Sequence, residues 1–438
     1  MSTECYLIEP GQTLSGELRV PGDKSISHRA VMLGAIARGE TIVQGFLEGE
    51  DCRATLGAFR KMGVRTQRET DGSLIIHGVG QGGLQAPGSA LDLGNSGTGM
   101  RLLLGLLAGQ HVAATLTGDA SLCQRPMERI ASPLRVMGAR IDTVDGHAPV
   151  QVHATADLTG VRYQLPVASA QIKSALLLAG LGAQGRTELR SPAPSRDHTE
   201  RMLQTMGVAV ASSDDGLLVA LDGPAELNAA QIQVPGDLSS AAFFIVGACI
   251  GAREPVVIRN VGVNPTRDGV LRILGMMGAR IELENLSELG AEPVADIRVY
   301  PSQLSGIEIP EQLIPLAIDE LPVLFVAAAA AQGRTVVSGA AELRVKESDR
   351  IGVMARALSN TGIQVEELPD GIIIDGGQFT GGSIDSCGDH RVAMSFAVAS
   401  LISSGTIEVA DTSPVATSFP GFVGTAAGVG LAIDARAA

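Results

Sequence analysis

Six times along the chain, a run of ten or more mostly apolar residues follows a short opening rich in Gly, Ser, Asp or Asn. The runs are "GDKSISHRAVMLGAIA", "GNSGTGMRLLLGLLAG", "ASAQIKSALLLAG", "GDLSSAAFFIVGAC", "IDELPVLFVAAAAA" and "CGDHRVAMSFAVAS". Runs of that length with such openings predict helices. They begin near Gly22, Gly94, Ala168, Gly236, Ile318 and Gly388. A second helix-like run in each interval ends on one recurring phrase: "KMGVRT", "VMGARI", "TMGVAV", "MMGARI", "NTGIQV" and "GVGLAI". The glycines of that phrase, Gly63, Gly138, Gly207, Gly278, Gly362 and Gly430, lie 68 to 84 residues apart. Glycine closes a helix in the left-handed conformation without a Cβ penalty. Strand-like text comes next, as in "SLIIHG", "PVQVHA", "LLVALDG" and "GIIIDGG", and several of these strands are reached through Asp-Gly, a hairpin signal. The pattern predicts an α/β chain of six βαβαββ pseudo-repeats.

The phrase "VPGD" opens the first unit at Val20 and the fourth at Val234. This predicts two similar domains of three units each. The first would span 20–233 and the second 1–19 plus 234–438, with the N-terminal residues pairing in the second half. Only the first copy is followed by charge: Lys24, His28 and Arg29.

Composition narrows the chemistry. The 438 residues are 45% hydrophobic but 3% aromatic, with 54 glycines and no tryptophan, which suits an aliphatic core behind many tight turns. A net charge of −14 argues against nucleic acid or an anionic membrane as partner. Five cysteines without a CxxC pair suggest a reducing compartment and neither a disulfide nor a zinc framework. The start "MSTECYLIEP" lacks the features of a signal peptide, and the apolar runs are too short to cross a bilayer, so a cytoplasmic protein is expected.

Against that acidic background, basic residues recur near the helix openings: Lys24 and Arg29, Arg101, Lys173 and Arg391. The second helices add Arg125, Arg196, Lys346 and Arg350. One such residue is ordinarily a solvated side chain, and Lys346 and Arg350, four apart, could share one helix face with Glu347 pairing between them. Recurrence at one phase of several repeats points instead to a multiply anionic small molecule, because helix N-termini also hold anions. The carboxylates Asp23, Asp237, Asp319, Glu320, Glu347, Asp349 and Asp389 lie near helix starts, where each could simply be a cap. Asp319 stands out because its "DE" pair interrupts apolar text. His28 and His390 have no metal-ligand spacing, and no metal is expected.

The motifs "PGDKSISHRA", "LGNSGTGMRLL", "QRPMERI", "SAQIKSALLLAG", "AIDELP", "VKESDRI", "GDHRVAMSFAVA" and "TSFPGF" run in order from about Val20 to Phe422. Together they resemble the 3-phosphoshikimate 1-carboxyvinyltransferases, or EPSP synthases. The resemblance implies an inverse α/β barrel type of fold, with three βαβαββ units about a near-threefold axis in each domain and the active site in the interdomain cleft. It implies transfer of the enolpyruvyl group of phosphoenolpyruvate to the 5-hydroxyl of 3-phosphoshikimate, with release of phosphate and no cofactor, in a monomer. Lys24, Ser25, Arg29, Ser169, Ala170, Gln171, Arg196, Asp319 and Lys346 would then bind 3-phosphoshikimate. Lys24, Gly97, Arg125, Gln171, Arg350 and Arg391 would bind phosphoenolpyruvate. Asp319 would accept the hydroxyl proton, and Glu347, helped by Lys24, would protonate the methylene.

Thr417 stands where many members carry a lysine before the "TFP" motif. With "SAQIKSALLLAG" and "RDHTERML" it looks like the family's second class, some members of which tolerate glyphosate. Gly97 is retained where a bulkier residue would crowd that inhibitor, and Ser96 has no assigned effect. Two alternatives stay open from sequence. One is a UDP-N-acetylglucosamine carboxyvinyltransferase, although its reactive loop cysteine has no counterpart here. The other is a non-catalytic repeat protein that binds an anionic metabolite at its helix N-termini.

Overall fold

The computed structural model describes residues 4–437; residues 1–3 and 438, which the expected second domain includes, lie outside the described residues. The chain divides into two compact units. The first is Gly22–Val234 with Leu289–Glu292, and the second holds the chain up to Pro21, Pro235–Glu288 and the chain from Pro293 onward.

Among the described residues each unit contains three small sheets of similar plan, one of the second unit's being reduced to three strands. In the sheet built on Ala114–Thr117, the preceding strand Leu91–Asp92 pairs parallel to it. The strand His147–His153 pairs antiparallel on the other side and Arg140–Val144 lies beyond it. The third sheet of the first unit repeats this order with Arg162–Gln164, Gly185–Arg190, Leu218–Gly223 and Val210–Ser212. In the second unit, the N-terminal strand Glu4–Ile8 fills the matching place between Ile407–Ala410 and Asp434–Ala437, with Tyr6 opposite Val409 and Ala435.

The first strands of units one and four depart from a strictly sequential repeat. Glu17–Leu18, just ahead of the first "VPGD", pairs with Val256–Gly262, and Gln231–Gln233, just ahead of the second, pairs with Ala37–Gln44. Apart from the short segment Leu289–Glu292, the boundaries between the compact units therefore fall within the two "VPGD" copies. Close backbone approach explains the glycine in each copy. A Cβ on Gly22 would lie 1.9 Å from the Gly45 carbonyl oxygen, and one on Gly236 would lie 3.0 Å from that of Asn260.

The six apolar runs form buried helices: α1 (Lys24–Ile36), α2 (Gly97–Gly109) and α3 (Ala170–Gly180) in the first unit, and α4 (Leu238–Gly251), α5 (Leu321–Ala330) and α6 (His390–Ala399) in the second. Nearly every residue in them is buried, so they carry no polar face, as expected of helices enclosed on all sides. Helices α2 and α3 approach until backbones touch: a Cβ on Gly105 would lie 2.0 Å from the Ala175 carbonyl oxygen. All six glycines of the recurring phrase have φ between 90° and 100°. At each, the next residue's N–H reaches back to a carbonyl five residues earlier, as Val64 does to Phe59 and Ile363 to Leu358. Among the described residues no helix is long and apolar enough to cross a membrane.

Candidate active site

In the first unit the helix openings do two jobs. Asp23 caps α1 by accepting from the Ile26 N–H at 2.8 Å. Lys24 opens that helix and sets its Nζ 2.8 Å from Oδ2 of Asp51, on the helix Glu50–Lys61. Arg29, one turn on, is buried and gripped on three sides. Its Nε donates to Thr199 Oγ1 (2.7 Å), Nη2 to Ser174 Oγ (2.8 Å) and Nη1 to the Ser25 carbonyl (2.9 Å). Burial pulls the Arg29 pKa down to about 10; Glu200 and Asp23 raise it, and the nearby Arg196 charge lowers it further. The guanidinium stays charged near neutrality. Thr199 and Ser174 were not legible as partners of Arg29, because single Ser and Thr residues in helical text carry no distinctive spacing.

Ser169 caps α3, with Ala170 and Gln171 in its first turn. Gln171 is oriented at both ends: Oε1 accepts from Arg101 Nη1 at 2.9 Å and Nε2 donates to Thr98 Oγ1 at 3.2 Å. Arg125 donates from Nη2 to Asn95 Oδ1 (2.6 Å) and from Nη1 to the Asn95 carbonyl (3.2 Å). Gly97, at the start of α2, faces both guanidinium groups, since a Cβ there would sit 3.1 Å from Arg125 Nη1 and 3.4 Å from Arg101 Nη1. Lys173 is structural: buried, paired with Glu200 at 2.7 Å and donating to the Ser195 carbonyl at 3.0 Å.

His28 and Ser96 acquire a joint explanation. Ser96 Oγ caps α2 by accepting from the Gly99 N–H and lies 3.4 Å from His28 Nε2. His28 Nδ1 is 2.9 Å from Thr55 Oγ1, whose own hydroxyl donates to the Asp51 carbonyl. The pattern is consistent with a neutral ring that donates from Nδ1 and accepts at Nε2. Burial, then the charges of Lys24 and Arg29, lower its pKa to about 3 against the opposing pull of Asp23. The ring thus adds no third charge to those of Lys24 and Arg29.

In the second unit, the carboxylates near helix starts divide by role. Asp237, Asp349 and Asp389 are caps, accepting from the Ser239, Gly352 and Arg391 N–H groups. Asp319 and Glu347 are not. Both bind Arg350, at 3.4 Å and 2.6 Å, and Lys346 Nζ lies 3.5 Å from Asp319. Arg350 is buried and also donates from Nε to Asp389 at 2.8 Å. Burial works to lower its pKa, but Asp389, Glu347 and Asp319 hold it above the ordinary value. Arg391 sits in the first turn of α6 beside the same Asp389.

One placement differs from the sequence reading. Lys346 and Arg350 do not share a helix face, because the helix begins at Arg350 and Asp349 caps it. Lys346 occupies the preceding loop, as Arg125 and Arg196 precede the helices Glu128–Val136 and His198–Thr205. Thr417 is buried and donates its hydroxyl to the Pro414 carbonyl at 2.7 Å. Lys24, Ser25, Arg29, Gly97, Arg125, Ser169, Ala170, Gln171 and Arg196 therefore belong to the first unit, and Asp319, Lys346, Glu347, Arg350 and Arg391 to the second.

Comparison with known proteins defines the class first. An enolpyruvyl transferase, NikO from Streptomyces tendae, is 20% identical and superposes with a TM-score of 0.75 over 100% of this chain and 99% of its own, which shows the enolpyruvyl transferase fold. An EPSP synthase structure from Acinetobacter baumannii is 52% identical, with a TM-score of 0.87, covering 99% of this chain and 100% of that one. The family model for EPSP synthase (3-phosphoshikimate 1-carboxyvinyltransferase) matches residues 8–425, and the chain belongs to that family. Curated 3-phosphoshikimate 1-carboxyvinyltransferases from Methylococcus capsulatus and Acidithiobacillus ferrooxidans are 57% and 56% identical, covering 97% and 99% of both chains in each pair.

Proposed function

We propose that the chain transfers the 1-carboxyvinyl group of phosphoenolpyruvate to the 5-hydroxyl of 3-phosphoshikimate and releases phosphate. The observation that carries the residue roles is that Asp319 and Glu347, both near helix starts, share the buried Arg350. Capping explains the neighbouring aspartates; it does not explain these two.

Both substrates carry a phosphate and a carboxylate, so their approach needs fixed cations and N–H dipoles. On this reading Lys24, Ser25, Arg29, Ser169, Ala170, Gln171, Arg196 and Lys346 bind 3-phosphoshikimate. Lys24, Gly97, Gln171, Arg125, Arg350 and Arg391 receive phosphoenolpyruvate. Its carboxylate, taken up by Arg350, replaces Glu347 as the partner of that guanidinium and frees Glu347 to carry a proton. Asp319 then takes the proton of the 5-hydroxyl while Glu347 protonates the methylene carbon. The hydroxyl oxygen bonds to the adjacent carbon, giving a tetrahedral intermediate. In the second step Glu347 recovers a proton from the new methyl group, the C–O bond to phosphate breaks, and Asp319 returns its proton to the departing phosphate. Both carboxyl groups end as they began. The same reading carries the expectation of a cytoplasmic monomer without a nucleic-acid partner.

Phosphate release is measured with phosphoenolpyruvate plus 3-phosphoshikimate, and in parallel with unphosphorylated shikimate or UDP-N-acetylglucosamine. Release with 3-phosphoshikimate only is expected. Asp319→Ala should abolish most turnover while sparing 3-phosphoshikimate binding; equal loss of both refutes its role as base.

A further inference from the structure

The second "VPGD" leads into a helix with no basic residue in its first turn, yet the surroundings of that opening are charged and closed. Arg267, buried in the turn before the helix Gly269–Met276, donates from Nη2 to Asp237 Oδ1 (3.0 Å) and to Ser239 Oγ (2.5 Å). Ser239 in turn donates to Glu320 Oε1, which lies 3.7 Å from the same Arg267 nitrogen. Three elements meet here: the first turn of α4, the Arg267 turn and the residue that opens α5. Backbone packing tightens the same junction, since a Cβ on Gly269 would lie 2.8 Å from the Leu316 carbonyl carbon and 2.9 Å from Ala317 Cβ.

Glu320 follows Asp319 directly, in the turn between the helix Ile314–Ala317 and α5. The two side chains go opposite ways. Glu320 is 1% exposed and tied into the Arg267 network, whereas Asp319 is 17% exposed and faces Lys346 and Arg350. A buried carboxylate at the head of the wholly apolar α5 is costly unless paired, so the turn is held where Glu320 meets Arg267 and Ser239. Rotation or sliding of α5 would break the Glu320 bonds and move Asp319 with them.

We propose that Glu320, held by Arg267 and Ser239, is the positioning residue for Asp319. In the first unit the "VPGD" helix opening carries the charges assigned to ligand; in the second it is an internal anchor for the proton acceptor. This rests on the reading of Asp319 as base, so Asp319→Ala is run in parallel. The test compares Glu320→Ala and Arg267→Met with the conservative Glu320→Gln and Arg267→Lys, measuring kcat and KM by phosphate release and 3-phosphoshikimate affinity by calorimetry. Misplacing a reacting group by about 1 Å costs up to roughly 100-fold, so the truncations should lower kcat about 10- to 100-fold. Affinity for 3-phosphoshikimate should hold, and the conservative variants should recover most of kcat. Folded truncations with unchanged kcat overturn the proposal, as does a loss that the conservative variants do not recover. If the truncations fail to fold, Ser239→Ala decides on the same criterion. If Asp319→Ala keeps turnover, the base assignment fails; if it loses turnover while the Glu320 and Arg267 variants keep theirs, only the positioning proposal fails.

Discussion

His28 offers a quantitative check on the first unit. Its imidazole is fully buried, with Thr55 and Ser96 at its two nitrogens, and burial with the charges of Lys24 and Arg29 lowers its pKa from 6.5 to about 3. The unfolded chain takes up a proton on this side chain as pH falls through 6.5, and the native chain does not until about 3. In that window the unfolded state binds more protons, so stability is full above the unfolded pKa and declines as pH falls. Each pKa unit is worth about 1.36 kcal/mol, so the whole shift corresponds to roughly 4–5 kcal/mol, of which about 2 kcal/mol is lost between pH 7 and pH 5. The perturbation is His28→Asn, which removes the titrating ring. Urea unfolding of both proteins at the two pH values supplies the assay. Whatever the substitution costs at pH 7, the advantage of the parent over the variant should shrink by about 2 kcal/mol at pH 5. An advantage that is the same at both pH values would refute the claim that the ring is held neutral.

Gly97→Ala places a Cβ 3.1 Å from Arg125 Nη1, closer than ordinary contact, so the guanidinium must shift. An overpacking cost of about 1 kcal/mol should raise the phosphoenolpyruvate KM roughly fivefold, with kcat changed less, in steady-state kinetics. Arg350→Met leaves Asp389, Glu347 and Asp319 without their common cation. Removing one partner of a buried ion network costs about 3–5 kcal/mol, which urea unfolding at neutral pH should register. A change near zero would mean that the carboxylates find other partners.

The repeat was legible because its punctuation is local. A glycine at φ near 90° leaves a mark in one sequence regardless of what packs beside it, and six of them at similar spacing expose the architecture. Apolar runs of ten residues or more likewise predict helices. They do not say that the helices are enclosed, or that Gly105 lets α2 touch the backbone of α3. Neither do they show that the strands ahead of the two "VPGD" copies pair with Val256–Gly262 and Ala37–Gln44. That pairing joins residues more than 180 positions apart, for which no local propensity exists.

The candidate site divides in the same way. Lys24, Arg29, Arg125, Arg350 and Arg391 were visible because cations recurring at helix openings are unusual in a chain of net charge −14. Which carboxylates cap a helix was not legible: Asp319 stood out by its apolar surroundings, but Glu347 and Asp349, two residues apart, look alike until the partner of each is known. The neutral state of His28, the grip of Thr199 and Ser174 on Arg29, and the anchoring of Glu320 by Arg267 and Ser239 all depend on side chains brought together by folding. Sequence determined the repeat, the helix ends and the cations. Tertiary structure decided which charges meet, because burial and partner distance, which set the worth of a charge, belong to the folded chain alone.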